Sequence, residues 1–434
     1  MQESGQPDSR DHGARRTNWA GNVTFGASGF HRPSSVPELQ RLVAGARRVR
    51  ALGTGHSFNA LADTTGDLVS VAGLPRLIEV DTASASVTVG AGLVYGELAG
   101  ELNAAGRALH NLGSLPHISV AGACATGTHG SGERNGNLAT AVSAVEMVTA
   151  DGDLVTVSRD GDPARFPGVV LGLGALGVLT RMTLDTLPAF EVRQYVYDDL
   201  PLEQVTGHFD EIAASAYSVS LFTDWRGPRF RQAWLKRRTD ASDSWEPERE
   251  WMGGRLADGP RNPVPGLDPA HCTEQLGVPG PWHERLPHFR PEFIPSSGDE
   301  LQSEYLLPRG DAIEALHALR PIAGRIAAVL QVCEVRTIAA DELWLSPSYQ
   351  RDSVAFHFTW IKDWAAVGPV LGEIEACLAP MHARPHWGKL FRAGPEAVAG
   401  LYPRLDDFRQ LMGCYDPAGK FRNDLIDRYV AADR

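Results

Sequence analysis

The chain has 434 residues, about three times the length of a typical domain, so two or three packed units are expected. Hydrophobic residues make up 43% and charged residues 22%, ordinary globular proportions that exclude a disordered chain. With 41 Lys and Arg against 53 Asp and Glu the formal net charge is −12, which argues against binding along a nucleic-acid backbone.

The chain opens on 17 polar residues without an apolar core, which reads as a mobile tail and not as a secretory signal. Ser35-Val36-Pro37-Glu38 then supplies an S-x-x-E capping box with proline in the first turn, and Leu39, Leu42 and Val43 follow at helical spacing. That helix runs into a short strand over 49–52, ended by Gly53-Thr54-Gly55-His56-Ser57. Short glycine-punctuated strands are expected at 68–71, 77–80, 87–89, 142–149 and 154–157, with amphipathic helices at 95–105 and from Val120 onward. Near Pro188 the texture changes to longer alternating strands at 217–225, 229–237, 332–338 and 354–360. Residues 245–295 are rich in Pro and Trp with little periodicity, which suggests a lid or site-forming loop. Trp282, His283 and Arg285 are its candidates to line an entrance. From Pro380 the Gly/Pro-punctuated texture returns. The pattern is α+β, with one domain over 18–187 completed by 380–434 and a second inserted over 188–379. No run approaches 18 apolar residues, so no membrane span is expected, and the expected location is cytoplasmic.

The five cysteines (Cys124, Cys272, Cys333, Cys377, Cys414) are scattered and form no CxxC pair. They read as reduced, mostly buried thiols, with no metal site.

Three glycine-rich segments stand out. Gly53-Thr54-Gly55-His56-Ser57 follows a strand, where bare backbone lets amides approach an anion such as a pyrophosphate; alone it reads equally as a tight turn. From Gly113 to Gly132, in GSLPHISVAGACATGTHGSG, small residues and hydroxyls crowd a stretch whose composition no core helix would choose. A ligand whose phosphates need many N–H donors would. Gly172-Leu173-Gly174-Ala175-Leu176-Gly177-Val178-Leu179-Thr180 leads into a further strand, and close backbone packing explains it as well as a ligand does.

Together with His386-Trp387-Gly388-Lys389, these segments resemble the vanillyl-alcohol-oxidase (VAO) type of FAD flavoprotein, in the branch of alditol oxidases and sugar-lactone oxidases. The likeness runs from Asn18-Trp19-Ala20-Gly21 to Asp416-Pro417-Ala418-Gly419-Lys420-Phe421. Glycine at 388, with Cys333-Glu334-Val335-Arg336-Thr337 and His357-Phe358-Thr359-Trp360, favours the alditol side of that branch. The resemblance implies a two-domain VAO/PCMH-type FAD-binding fold, whose inserted substrate (cap) domain is an antiparallel sheet with flanking helices. It implies FAD attached covalently through a ring nitrogen of His56. Ala51, Leu52, Gly53, Thr54, Gly55 and Ser57 should wrap the pyrophosphate. Ser114, Ser119, Gly122, Thr126, Thr128 and His129 should line the same cleft, with Val178 and His386 completing it. Lys389 matches the cation set beside the flavin N1 and C2 carbonyl, where it stabilises the reduced anion. Gly113, without a side chain beside the flavin, leaves room for dioxygen.

Strand geometry reads the substrate side independently. Alternation puts Glu334 and Arg336 on one face with Cys333, Val335 and Thr337 on the other, and separates His357 and Thr359 from Phe356, Phe358 and Trp360. A solvated sheet face carrying a Glu–Arg ion pair would look the same. In the family the matching residues bind a polyol, through Ser114, Glu334, Arg336, Thr359 and Lys389. His357, Glu334 or Lys389 would receive or polarise the hydroxyl proton, and the sequence does not choose among them. The implied reaction takes hydride from the terminal CH₂OH of an alditol of the xylitol or sorbitol type to flavin N5, giving the aldose and, with dioxygen, hydrogen peroxide. The implied partners are the polyol and O₂; charge and hydropathy give no reason to expect nucleic acid or membrane, and a monomer is expected. The rivals are a gulono- or arabinono-1,4-lactone oxidase, a polyol dehydrogenase using a non-oxygen acceptor, and a flavin-carrying electron-transfer module.

Overall fold

In the computed structural model, which describes residues 16–241, 245–293 and 298–431, the first helix forms where its cap predicts, over Val36–Gly45. Ser35 Oγ accepts from the Glu38 N–H at 3.4 Å and Pro37 sits in the first turn. Glu38 reaches past Ser35 and accepts from Ser34 N and Oγ, both at 2.8 Å. Leu39 and Val43 bury the inner face against Val49, Val148, Val178 and Phe421. Burial of two such side chains contributes ~3–6 kcal/mol before the entropy of ordering them.

Three short parallel strands, Gly29–His31, Asp67–Val69 and Val49–Ala51, make a small sheet with Asp67–Val69 in the middle. A five-stranded antiparallel sheet, ordered Ile78–Asp81, Ser86–Gly90, Val178–Asp185, Val142–Val148 and Leu154–Ser158, packs on it through Val148 and Val178. These strands lie within a residue or two of their expected ends. Helix Tyr95–Ala104 buries Tyr95, Leu98 and Leu102 in the first large core.

The second core lies on one side of a ten-stranded sheet. Its order is Glu250–Trp251, Gly254–Leu256, Glu191–Pro201, Arg229–Arg238, Ser218–Thr223, Leu330–Ile338, Ser353–Trp360, Leu301–Pro308 and Arg384–Pro385, with Gly280–Pro281 also paired to Glu191–Pro201. Alternation decides its faces. Cys333, Val335, Tyr305, Leu307, Phe356 and Phe358 point into the core that helices Ala312–Leu319, Ala323–Val329 and Trp364–Leu378 close. Glu334, Arg336, Gln302, Glu304, His357 and Thr359 point the other way, into a cavity shared with the glycine-rich segments.

Two expected boundaries shift. Of the tail, residues 1–15 lie outside the described residues, but Arg16 and Thr17 are held in place. Arg16 O accepts from Phe25 N at 2.9 Å, its guanidinium lies 3.8 Å over the Phe30 ring, and Thr17 bridges to Thr24. The C-terminal return starts later than residue 380, because Arg384–Pro385 pairs with Leu301–Pro308 and Leu390 N donates to Gln302 O. From Trp387 onward its side chains enter the first core. Buried Arg50 ties the two ends together, donating to Leu61 O (2.5 Å), Leu173 O (2.8 Å), Gly174 O (2.9 Å) and Phe421 O (2.8 Å). Burial, with no carboxylate partner, pulls its pKa down to about 10. Among the described residues no helix is long and apolar enough to cross a membrane, and no cluster of His, Cys, Asp and Glu could hold a metal ion.

Candidate active site

The turn after strand Val49–Ala51 is built for close approach. A Cβ on Gly53 would run into Ser119 Oγ, and Gly55 holds a left-handed φ of +73° that other residues rarely adopt. Among the described residues, no protein acceptor takes the backbone N–H groups of Gly53, Thr54, Gly55, His56 or Ser57. Such a run of free donors suits a pyrophosphate. Ser119 N donates to Thr54 Oγ1 at 3.3 Å, which fastens the second glycine-rich segment to the first.

His56 stacks on Trp19 with ring centroids 4.9 Å apart, and its Nδ1 lies 3.1 Å from Thr54 Oγ1. Its Nε2 is buried without a partner. Burial first, then the nearby His117, lowers its pKa to about 4, so the ring is neutral and carries a free lone pair at neutral pH. A buried, unpartnered, nucleophilic nitrogen beside an amide-lined turn fits a covalently attached FAD.

The opposite wall carries the charges. Lys389 Nζ donates to Glu304 Oε2 and to His357 Nδ1, both at 2.6 Å, and Arg336 Nη2 donates to Glu304 Oε1 at 2.8 Å. Arg336 Nη1 lies 3.5 Å from Glu334 Oε2, and Glu334 Oε1 is 3.0 Å from His288 Nε2. Burial pushes both carboxyls up, but their neighbours win: Lys389, His129 and Arg336 hold Glu304 well below the carboxylate range, and Arg336 with His288 does the same for Glu334. Burial and then Lys389 take His357 to about 4. Burial also lowers Lys389, with Glu304 the main opposing influence. With His357 and His288 neutral, two carboxylates face two cations on this wall. Because an ammonium has no lone pair, His357 Nδ1 must accept from Lys389, and its Nε2–H then points to Thr359 Oγ1 at 3.2 Å.

Nearly every expected site residue lines this one cavity: Ala51, Leu52, Gly53, Thr54, Gly55, His56, Ser57, Gly113, Ser114, Ser119, Gly122, Thr126, Thr128, His129, Glu334, Arg336, His357, Thr359, His386 and Lys389. Val178 does not; its side chain is packed beside Leu39 and Val43, and its neighbours Gly177 and Leu179 line the wall instead. The solvated-face reading of Glu334 and Arg336 fails, since they are only 4% and 6% exposed. Trp282, His283 and Arg285 do not line the cavity. Trp282 is buried against Phe190, and Arg285 donates to the Val278 and Pro279 carbonyls. The same segment instead contributes Pro263, Val264, His288 and Phe289. Sequence reasoning passed over Glu304, His288 and Lys236. Glu304 was findable, because Gln302 and Glu304 alternate with Ser303, Tyr305 and Leu307 just as Glu334 and Arg336 alternate with apolar neighbours.

Residues 27–158 match the family model described as FAD binding domain, and residues 299–429 match D-arabinono-1,4-lactone oxidase. The chain is 54% identical over 418 residues to an alditol oxidase from a Streptomyces strain, covering 95% of this chain and 99% of that one. It is 28% identical over 439 residues to L-gulono-1,4-lactone dehydrogenase of Mycobacterium tuberculosis, covering 95% and 98% respectively. Among solved structures, a cholesterol oxidase from B. sterolicum shares the fold, with a TM-score of 0.76 over 96% of each chain at 16% identity.

Proposed function

Because this chain belongs to the family of FAD-dependent alditol and sugar-lactone oxidases, we propose that it is an alditol oxidase, converting the terminal CH₂OH of a xylitol- or sorbitol-type polyol to the aldose. Bound FAD would supply the two-electron acceptor for the substrate hydride and the route to dioxygen that yields hydrogen peroxide. The residues 51–57, with Ser114, Ser119, Gly122, Thr126, Thr128 and His129, would hold it, and His56 would be its point of covalent attachment. Residues 18–187 with the C-terminal return would form the FAD-binding domain, and the large sheet, which runs on to Arg384–Pro385, would cap the reacting end.

The observation that carries the reading is the buried face of Glu304, Glu334, Arg336, Thr359 and Lys389, in which two carboxylates meet two cations. A polyol offers only hydroxyls, each needing both a donor and an acceptor when taken out of water. Glu334 Oε2 is the carboxylate oxygen least committed to protein partners, since both oxygens of Glu304 and the Oε1 of Glu334 are engaged at 3.0 Å or less. Arg336 and the third N–H of Lys389 supply donors, and Ser114 and Thr359 supply hydroxyls. Lys389 also keeps a positive charge at the reacting end, where negative charge develops. Gly113 keeps the approach clear for dioxygen: the atoms nearest to a Cβ built there would be the Thr128 and Ile118 methyls, at 3.6 and 3.7 Å.

Peroxide formation at matched concentrations of xylitol, sorbitol and L-gulono-1,4-lactone tests the proposal. A kcat/KM at least tenfold higher for one of the alditols supports it. A preference for the lactone would replace it with the second reading, lactone oxidation, which the match of residues 299–429 favours.

A further inference from the structure

The least regular part of the chain, residues 245–293, delivers one side chain to the substrate face. His288 is 5% exposed, edge-on to Trp234 and Phe222 with ring centroids 5.3 and 5.5 Å away. Its Nε2 lies 3.0 Å from Glu334 Oε1, and its Nδ1 lies 3.0 Å from Lys236 Nζ. Lys236 belongs to strand Arg229–Arg238, where Ala233 and Leu235 turn into the second core and Trp234 and Lys236 turn towards the overlying segment. It is 1% exposed and does not itself line the cavity. Its Nζ also donates to Leu286 O at 2.5 Å and to Pro287 O at 3.2 Å, so with His288 Nδ1 it meets three acceptors; burial lowers its pKa to about 7, with Glu334 the main opposing influence.

This geometry fixes a proton. The Glu334 carboxylate can only accept, so the His288 ring hydrogen sits on Nε2 and donates to Oε1, and Nδ1 turns its lone pair to an N–H of Lys236. Burial, followed by Lys236 itself, lowers the ring's pKa to about 4, which keeps it in this neutral form at neutral pH. Glu334 is thereby pinned at one oxygen, and its Oε2 is left beside Arg336 in the cavity.

We propose that Lys236 is a positioning residue for substrate binding: by clamping Leu286-Pro287-His288 to the sheet and holding the His288 ring at its Nδ1, it orients the Glu334 carboxylate that accepts a substrate hydroxyl. The role of Glu334 as polyol acceptor rests on the reading above; the Lys236–His288–Glu334 chain rests on geometry alone. Without Lys236 the 286–288 segment loses its tie to the sheet, the ring's N–H moves off Oε1, and Glu334 swings to Arg336. The loss falls on binding that ground state and transition state share, so it appears in KM.

The test compares the holoenzyme with Lys236→Met, His288→Leu, His288→Gln and the Lys236→Met/His288→Leu double variant. Xylitol KM rises about tenfold in Lys236→Met and in His288→Leu, while kcat stays within about threefold. The double variant is no worse than the worse single, as expected for residues acting through one contact. Gln accepts through one atom and donates through the other, as the neutral ring does, so His288→Gln recovers KM to within about threefold. The xylitol-dependent rise in Tm shrinks in parallel with each loss of affinity. A His288→Leu KM within twofold of wild type, a fall in kcat at constant KM, or additive effects in the double variant would each overturn the proposal. Should Lys236→Met fail to fold, the two His288 variants decide alone. Wild-type turnover keeps the two readings apart: if xylitol is inert and a sugar lactone is oxidised, the alditol reading fails and the same comparison is made with the lactone.

Discussion

Glu304 is the residue on which the charge balance of the site turns, and replacing it by Gln tests that balance directly. The substitution keeps the shape but removes the negative charge between Lys389 at 2.6 Å and Arg336 at 2.8 Å. Coulomb's law at an effective dielectric of about 20 gives about 6 kcal/mol for each contact. Desolvation of three buried charges offsets much of this, so the expected net loss is about 3–5 kcal/mol, the usual result of removing one partner from a buried ion pair. The new amide also points an N–H at one of two groups that only donate. At 1.4 kcal/mol per factor of ten, the loss is large enough to lower Tm and to cost 100-fold or more in kcat/KM if the displaced cations misplace the substrate. There is a pH signature as well. Burial already lowers the Lys389 pKa, and Glu304 is the main influence holding it up. Without Glu304 the ammonium deprotonates at lower pH, so the alkaline fall in kcat starts earlier than in the wild type. Steady-state turnover of xylitol against pH, with thermal unfolding alongside, reads both effects. An unchanged Tm and kcat/KM, or an alkaline limb moved to higher pH, would refute the reasoning.

Other substitutions probe separate parts of the account. His56→Ala should release all its FAD into the supernatant on acid precipitation, whereas wild type should carry the yellow colour down with the polypeptide; free flavin from wild type would show there is no covalent link. Lys389→Met should slow anaerobic reduction of the flavin by about 100-fold or more at unchanged FAD content, the usual scale for loss of one preorganised charge. An unaltered reduction rate would remove Lys389 from the chemistry. Arg50→Met leaves four buried carbonyls without their donor and should cost about 3 kcal/mol or more, seen as a Tm lower by several degrees. A Tm within about 1 °C of wild type would mean that Arg50 does not hold the C-terminal return.

Local rules made much of this site legible. Glycine-rich turns marked the donor-lined wall, and period-two alternation put each polar pair on one face, because strands Leu330–Ile338 and Ser353–Trp360 bury large apolar side chains on one face and leave polar ones on the other; only the family resemblance suggested a substrate for that face. The same rule reaches Glu304, and only its position behind an irregular, proline-rich stretch hid it. His288 and Lys236 are different. Nothing periodic marks residue 288, and Lys236 lies in a strand written Arg-Phe-Arg-Gln-Ala-Trp-Leu-Lys-Arg-Arg, whose basic residues look solvated. Only the packing of Ala257, Cys272 and Phe289 onto Val196, Phe222, Trp234 and Val332 brings the overlying segment to that face. The boundary near residue 380 was obscured for a related reason: a two-residue strand paired to the sheet edge leaves no trace in composition. Contacts made across long sequence separations carry the information that pattern reading lacks.

The visible spectrum of the purified protein, mixed anaerobically with xylitol and then opened to air, tests the central claim most directly. The account predicts that the flavin band bleaches within the mixing time of a substrate at saturating concentration and returns fully in air, with peroxide formed. A band that xylitol leaves untouched would contradict the alditol assignment, and one that bleaches but stays bleached in air would contradict the oxidase assignment.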